Sequence, residues 1–227
     1  MVDDAEILKA EALGGDKAGF IRAHTVVGAA WLCPEIPLHL VTEECALWRA
    51  GEAELAALGL QDPYWAFAWA GGQVLARYLL DHPDEVRDRK VLSFGAGGGL
   101  EAIAAMRSGA AEVLALEIDP LAIEAIRLNA ALSQVPVQPL LLDVLAEDRL
   151  GPIDLILAGD VLYDGALARR ANAWLRRRAE AGARVFIGDP GRGHVPPGAA
   201  VLASYEAPAD VDTRGEILRT AKVYRLL

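Results

Sequence analysis

The first chemical signal in the sequence is a glycine cluster at the end of a short apolar run. Residues 91–105 read VLSFGAGGGLEAIAA, with glycine at positions 95, 97, 98 and 99. Glycine lets the backbone approach a ligand closely, and the start of a helix presents free N–H groups. We therefore interpret this stretch as a strand, a nucleotide-binding turn and a helix.

A carboxylate follows this turn at an informative distance. Glu117 stands 20 residues after Gly97 and ends the next apolar run. At that place a carboxylate accepts both hydrogen bonds from a ribose diol, in NAD folds and S-adenosylmethionine folds alike. The dinucleotide pattern G-x-G-x-x-G is incomplete, because Leu100 occupies the third glycine position. The alternative is that Glu117 caps the next helix, or that Asp119 does so ahead of Pro120.

Further polar side chains stand where later apolar runs end. Asp143 ends a third run, and the fourth ends in AGDVLYD, which contains Asp160 and Tyr163. In a parallel sheet these positions share the carboxyl edge, where ligands bind beside the switch in strand order. A carboxylate and a phenol three residues apart can form one wall of a small pocket. The alternatives are a solvated loop aspartate at position 143 and a helix-capping aspartate with a packed tyrosine at 160 and 163.

The elements that position these residues alternate strictly from residue 90 onward. Apolar runs without polar alternation are typical of strands buried on both faces, and strand–helix alternation indicates a doubly wound parallel sheet. Two strand-like runs near the end have no long helix between them and predict an antiparallel pair. The fold class is therefore α/β, with a mostly parallel seven-stranded sheet. Its predicted strands are KVLSFG, EVLALEI, VQPLLLD, IDLILAGD, ARVFIGD, AAVLASYEA and EILRTAKVYRLL.

The first part of the chain lacks this regular alternation of strands and helices. Residues 1–62 are irregular, with a predicted helix at 16–24, a strand at 36–41 and a helical segment at 51–59. An aromatic stretch then leads into a helix that Pro83 ends. We divide the chain into an N-terminal extension, residues 1–62, packed on a catalytic domain, residues 63–227.

Composition narrows the classes of function and partner. The chain has 227 residues, a net charge of −10, two cysteines and four histidines. The negative charge argues against a nucleic-acid partner, and the scattered histidines lack metal-ligand spacing. No signal peptide or membrane-length apolar segment is evident, so we expect a cytoplasmic protein with reduced thiols and no membrane partner.

Taken together, six segments resemble one family of enzymes. The chain is similar to class I, seven-β-strand methyltransferases that use S-adenosylmethionine, which have a Rossmann-like fold. More narrowly, it resembles the lysine methyltransferases that modify the β-subunit of electron transfer flavoprotein, within the enzymes bearing a D/E-x-x-Y/F motif. The segments are PEIPLHLVT (34–42), DPYWAFAWAGGQVLARYLLDHP (62–83), FGAGGGLEAIAA (94–105), EIDPLAIEAIRLNA (117–130), GDVLYD (159–164) and IGDPGR (187–192).

This resemblance implies a role for each matching position. The cofactor's methionine part would lie on the glycine turn, its ribose on Glu117, and its adenine between two pairs of residues on neighbouring strand ends. Asp160 and Tyr163 would be catalytic, facing the methyl group and the incoming lysine. The cofactor-binding residues would be Trp69, Gly71, Gly95, Ala96, Gly97, Glu117, Ile118, Asp119, Asp143 and Val144.

The implied function is a protein-lysine N-methyltransferase acting on the electron transfer flavoprotein β-subunit. The alternatives are another acceptor, such as a ribosomal protein or a small amine, an NAD(P) oxidoreductase, or a methyltransferase-like binding protein without catalysis. One departure from the family is Ser93, which stands where an acid usually anchors the cofactor's ammonium. Arg192 and His194, in the loop after the fifth strand, are interpreted as solvated residues, with contact to a protein substrate as the alternative.

Overall fold

The structure is a computed structural model that describes residues 15–50, 52–57, 59–208 and 217–227. The N-terminal residues 1–14 of the predicted extension lie outside it, as do Gly51 and Leu58 in the predicted helix 51–59 and Glu216 at the start of the last predicted strand. The elements of the N-terminal part are α1 (Lys17–His24), β1 (Val26–Ala30), β2 (Cys33–Leu40), α2 (Ala46–Arg49) and α3 (Glu52–Ala57).

The remaining elements follow the alternation read from the sequence. They are α4 (Ala70–Asp81), β3 (Lys90–Phe94), α5 (Leu100–Arg107), β4 (Glu112–Glu117), α6 (Pro120–Leu132), β5 (Gln138–Leu141), β6 (Leu155–Gly159), α7 (Gly165–Glu180), β7 (Arg184–Asp189), β8 (Ala200–Pro208) and β9 (Leu218–Leu226). Strands β3 to β9 form one sheet in the order β5-β4-β3-β6-β7-β9-β8. The β9 strand pairs antiparallel with β7 and with β8, and the other pairs are parallel. The predicted fold class is confirmed.

Helices cover both faces of this sheet, which explains the apolar strands. On one face, Val91 of β3 packs in a cluster with Leu75 of α4 and Phe186 of β7. On the other face, Leu92, the next residue of β3, packs in a cluster that contains Trp174 of α7. Successive residues of a strand point to opposite faces, so a strand covered on both sides needs apolar residues throughout.

The N-terminal part packs against the helices rather than the sheet edge. Asp16 caps α1 by accepting a hydrogen bond from the Gly19 N–H at 2.8 Å. The β1 strand, absent from the sequence analysis, pairs antiparallel with β2, and Ile36 of β2 is buried in a cluster with Ala104 of α5. Among the described residues, no helix combines the length and apolar character that crossing a membrane requires.

Candidate active site

A cavity of about 540 Å³ opens at the carboxyl ends of the parallel strands. It spans the switch point of the sheet, because the chain leaves β3 toward β4 and β5 but returns through β6 on the other side. Ten of the twelve predicted site residues border it. These are Trp69, Gly95, Gly97, Glu117, Ile118, Asp119, Asp143, Val144, Asp160 and Tyr163.

The glycine turn and Glu117 form one wall of the cavity. Gly95 and Gly97 have φ values of +64° and +54°, a left-handed conformation that favours glycine. The Gly97 N–H donates to Glu117 Oε1 at 2.6 Å, and the Ile118 N–H donates to Oε2 at 3.0 Å. Burial raises the pKa of Glu117, while these two hydrogen bonds act against the rise. The carboxylate is therefore held in one orientation, and each oxygen retains a second lone pair for a ligand.

The capping role that the sequence left open belongs to Asp119. Its side chain accepts a hydrogen bond from the Leu121 N–H at 2.8 Å and caps α6. The carboxylate of Asp143 likewise accepts a hydrogen bond from the Leu145 N–H at 2.9 Å. The Ile118 side chain is 61% exposed and borders the cavity, so it offers apolar surface to a flat ring.

Gly71 and Ala96 lie behind the cavity wall. The N–H of Ala96, a buried residue, donates to the Leu116 carbonyl at 3.0 Å. Gly71 stands in the first turn of α4, where a Cβ would collide with the Gly188 carbonyl oxygen and the Asp160 carboxylate. Glycine at position 71 is therefore required for close packing of α4 against the ends of β6 and β7.

Asp160 is buried at the end of β6, and each of its carboxylate oxygens contacts a protein group. Its Oδ2 accepts hydrogen bonds from the N–H groups of Gly71 and Gly72, at the start of α4. Its Oδ1 forms an ion pair with Arg192 Nη2 at 3.1 Å. Its φ of +55° is a left-handed value, which is uncommon outside glycine. Burial raises the pKa of Asp160 to about 6, although Arg192 and the two N–H groups oppose the rise.

The interpretation of Arg192 as a solvated loop residue is therefore wrong. Asp189, at the end of β7, accepts hydrogen bonds from the N–H groups of Gly191 at 2.7 Å and Arg192 at 2.9 Å. This turn folds the loop back over the sheet edge and places the guanidinium on Asp160. Because β6 and β7 are neighbours in the sheet, their carboxyl ends meet.

Aromatic side chains form the rim of the cavity beside Asp160. Tyr163 is 52% exposed, and its ring centroid lies 6.0 Å from that of Tyr64. The Tyr64 ring also lies 5.9 Å from the ring of Trp69, whose Nε1–H donates to the Tyr64 carbonyl at 2.8 Å. Tyr64 was not among the predicted site residues, because no local signal separates it from the buried Trp65 beside it.

Comparison with known proteins connects this geometry to a family. The family model for ribosomal protein L11 methyltransferase (PrmA) matches residues 74–164. A Xenopus laevis protein named electron transfer flavoprotein beta subunit lysine methyltransferase is 47% identical over 174 residues, which cover 76% of this chain and 70% of that protein. The chain belongs to this lysine methyltransferase family.

Further similarities agree with the assignment of the chain as a lysine methyltransferase. The Rattus norvegicus protein of the same name is 46% identical over 168 residues, covering 74% of this chain and 65% of that one. The chain thus spans about two thirds of the length of these relatives. The solved structure of magnesium protoporphyrin IX methyltransferase (ChlM) from Synechocystis with bound SAM is 14% identical, with a TM-score of 0.52 over 100% of this chain and 99% of that one. That likeness concerns the fold alone.

Family membership confirms the expected enzyme class, a methyltransferase that uses S-adenosylmethionine. The residues of the cavity fit this cofactor. An oriented carboxylate at Glu117 suits a ribose diol, and the exposed apolar side chain of Ile118 suits an adenine ring. Within the described part of the chain, no cluster of three or more histidine, cysteine, aspartate or glutamate side chains is placed to hold a metal ion.

Proposed function

We propose that this methyltransferase transfers methyl groups from S-adenosylmethionine to lysine side chains of the electron transfer flavoprotein β-subunit. The observation that carries the acceptor is the 47% identity to a relative named for that activity. The geometry supports lysine as the target residue, because a buried carboxylate and an aromatic rim meet at one end of the cavity.

In this proposal the cofactor extends along the strand ends from β5 to β6. Glu117 binds the ribose diol through the free lone pairs of its oriented carboxylate. Gly71 and Ala96, whose N–H groups already donate within the protein, act by shaping the wall. The methionine part lies over Gly95 and Gly97, the adenine near Ile118 and Asp119 on one side and Asp143 and Val144 on the other, and the amino-acid end near Trp69.

Bound S-adenosylmethionine supplies the methyl group on a sulfonium, which is already activated for in-line displacement. The protein must therefore present a neutral lysine amine in line with the methyl group and exclude water. Asp160 is ionised above a pKa of about 6, so at neutral pH its Oδ1 can accept a hydrogen bond from the amine while sharing that oxygen with Arg192. The Arg192 guanidinium nearby disfavours the protonated, unreactive form of the lysine.

The aromatic rim has a separate role in the proposal. Each methyl transfer leaves the lysine nitrogen cationic, and aromatic faces attract cations electrostatically. Tyr163 and Tyr64, 6.0 Å apart between ring centroids, form a wall that tolerates a partly methylated nitrogen. The nitrogen would thus remain beside Asp160 after the first transfer.

A second acceptor class, ribosomal protein L11, has weaker support. The L11 methyltransferase family model covers residues 74–164, and the Escherichia coli protein named ribosomal protein L11 methyltransferase is 36% identical over 102 residues, which cover 44% of this chain. The family-model match covers the cofactor-binding strands β3 to β6 and omits the N-terminal part, so it bears less on the acceptor.

A comparison of acceptors tests the proposal. The chain is incubated with S-adenosylmethionine labelled in its methyl group and with either intact electron transfer flavoprotein or ribosomal protein L11. We expect label in the flavoprotein β-subunit, and none when its lysines are first blocked by acetylation, which converts each amine into a non-nucleophilic amide. Label in ribosomal protein L11 alone would show that L11, and not the flavoprotein β-subunit, is the acceptor. No label in either protein, with S-adenosylhomocysteine still bound by the chain, would overturn it.

A further inference from the structure

A second buried carboxylate lies next to the active site, and the mechanism above does not use it. Glu101 stands in the first turn of α5 and is 4% exposed. Its Oε1 accepts a hydrogen bond from the Ser93 hydroxyl at 3.2 Å. Burial raises the pKa of Glu101 to about 8, with a further rise from the nearby Asp160, while hydrogen bonds from Ser93 and the Gly159 backbone act in the opposite direction.

Glu101 differs from Asp160 in forming no ion pair with any residue that the structure describes. Asp160 is paired with Arg192, whereas the charged side chain with the largest effect on the pKa of Glu101 is the carboxylate of Asp160, which raises it. A buried carboxylate without a positive partner is costly, and it keeps its proton in preference to ionising. The site around Glu101 is therefore electrostatically suited to an incoming cation.

The position of Glu101 relative to the cavity shows which end such a cation would occupy. A Cβ at Gly159 would lie 3.1 Å from Oε1 and a Cβ at Gly72 would lie 3.0 Å from Oε2, so these two glycines flank the carboxylate closely. Gly159 borders the cavity beside Asp160. In the sheet, β6 and β4 lie on opposite sides of β3. Glu101 is therefore near the β6 end of the cavity, whereas Glu117 and Ile118 are at its β4 end.

We propose that Glu101 is a cofactor-positioning residue whose carboxylate binds the ammonium group of S-adenosylmethionine. An ammonium that is withdrawn from water is stabilised by an anion, and Ser93 offers only a neutral hydroxyl. The Glu101 carboxylate approaches from α5 and accepts a hydrogen bond from this hydroxyl. This inference rests on the cofactor placement proposed above and is independent of the acceptor.

Binding of the ammonium then requires Glu101 to lose its proton. At pH 7 a group with a pKa of about 8 is protonated in about nine molecules of ten. Binding of S-adenosylhomocysteine, which carries the same amino-acid part, should therefore release about 0.9 proton per site at pH 7. Asp160, with a pKa of about 6, is mostly ionised at this pH and contributes little.

Isothermal titration calorimetry in buffers of different ionisation enthalpy measures this release directly. We expect proton release with S-adenosylhomocysteine and none with 5′-methylthioadenosine, which lacks the amino-acid part. Glu101→Gln should abolish the proton release. It should also lower the affinity for S-adenosylhomocysteine by about 10- to 100-fold, the range expected for loss of a charge-assisted hydrogen bond. The affinity for 5′-methylthioadenosine should stay unchanged in this variant.

Two further variants complete the test. Ser93→Asp combined with Glu101→Gln moves the carboxylate to β3 and should restore affinity for S-adenosylhomocysteine. Glu180→Gln, at the exposed end of α7, should behave as wild type. Equal proton release by both ligands in the wild-type protein, or affinity within twofold of wild type in Glu101→Gln, would overturn the inference. Neither result involves electron transfer flavoprotein, so the proposed acceptor is tested separately.

Discussion

Replacing Glu101 with glutamine should change how the stability of the unliganded protein depends on pH. Burial raises the pKa of Glu101 from 4.5 to about 8 in the folded protein, whereas the unfolded chain ionises near the ordinary value. Between these values unfolding releases a proton, so the free energy of unfolding falls as the pH rises through this window. At about 1.4 kcal/mol per pH unit, the full loss is on the order of 5 kcal/mol by pH 8.

Glutamine has the shape of protonated glutamate but cannot ionise. The free energy of unfolding of the variant should therefore lack the decrease with pH that Glu101 causes. Urea unfolding followed by circular dichroism at pH 5, 6, 7 and 8 measures the difference in the free energy of unfolding between variant and wild type. That difference should increase by about 1.4 kcal/mol per pH unit, and the pH dependence contributed by Asp160 cancels in it. Glu180→Gln serves as the exposed control and should follow wild type. Parallel pH profiles for Glu101→Gln and wild type would refute the reasoning.

Three further variants test the remaining site residues. Glu117→Ala should lower the affinity for S-adenosylhomocysteine, measured by calorimetry, about 10-fold or more, because it removes the proposed partner of the ribose diol. An unchanged affinity would show that Glu117 does not bind the ribose. Asp160→Ala should lower kcat far more than cofactor affinity, and equal turnover would contradict its proposed contact with the lysine. Arg192→Met removes the cation that opposes the raised pKa of Asp160, so the acid limb of the pH–rate profile should move to higher pH. An unmoved limb would show that ionisation of Asp160 does not control the rate.

Most of the fold could be predicted because each central strand is buried on both faces. The β6 and β7 strands read as continuous apolar runs, and each is followed by a turn residue. The β1 strand was missed because its sequence, VVGAA, is short. Its two valines are exposed, so its apolar and polar residues do not alternate as they would in a half-buried strand. Its pairing with β2 depends on backbone hydrogen bonds that side-chain types do not reveal.

The site could be predicted only as far as the sheet positions it. Asp143 and Asp160 follow strand ends, and the carboxyl ends of parallel strands meet at one edge. The ion pair between Asp160 and Arg192 joins residues 32 positions apart and depends on the turn that Asp189 stabilises. The contact between Ser93 and Glu101 depends on how far a glutamate reaches across from α5. Residue types and spacing do not encode either contact.

The most direct test of the proposed function is the intact mass of the electron transfer flavoprotein β-subunit after incubation with this protein and S-adenosylmethionine. We predict mass gains in steps of about 14 Da, the difference that one methyl group makes when it replaces a hydrogen. The gains should be absent with Asp160→Ala. An unchanged β-subunit mass, measured with wild-type protein that binds S-adenosylhomocysteine, would contradict the proposed acceptor.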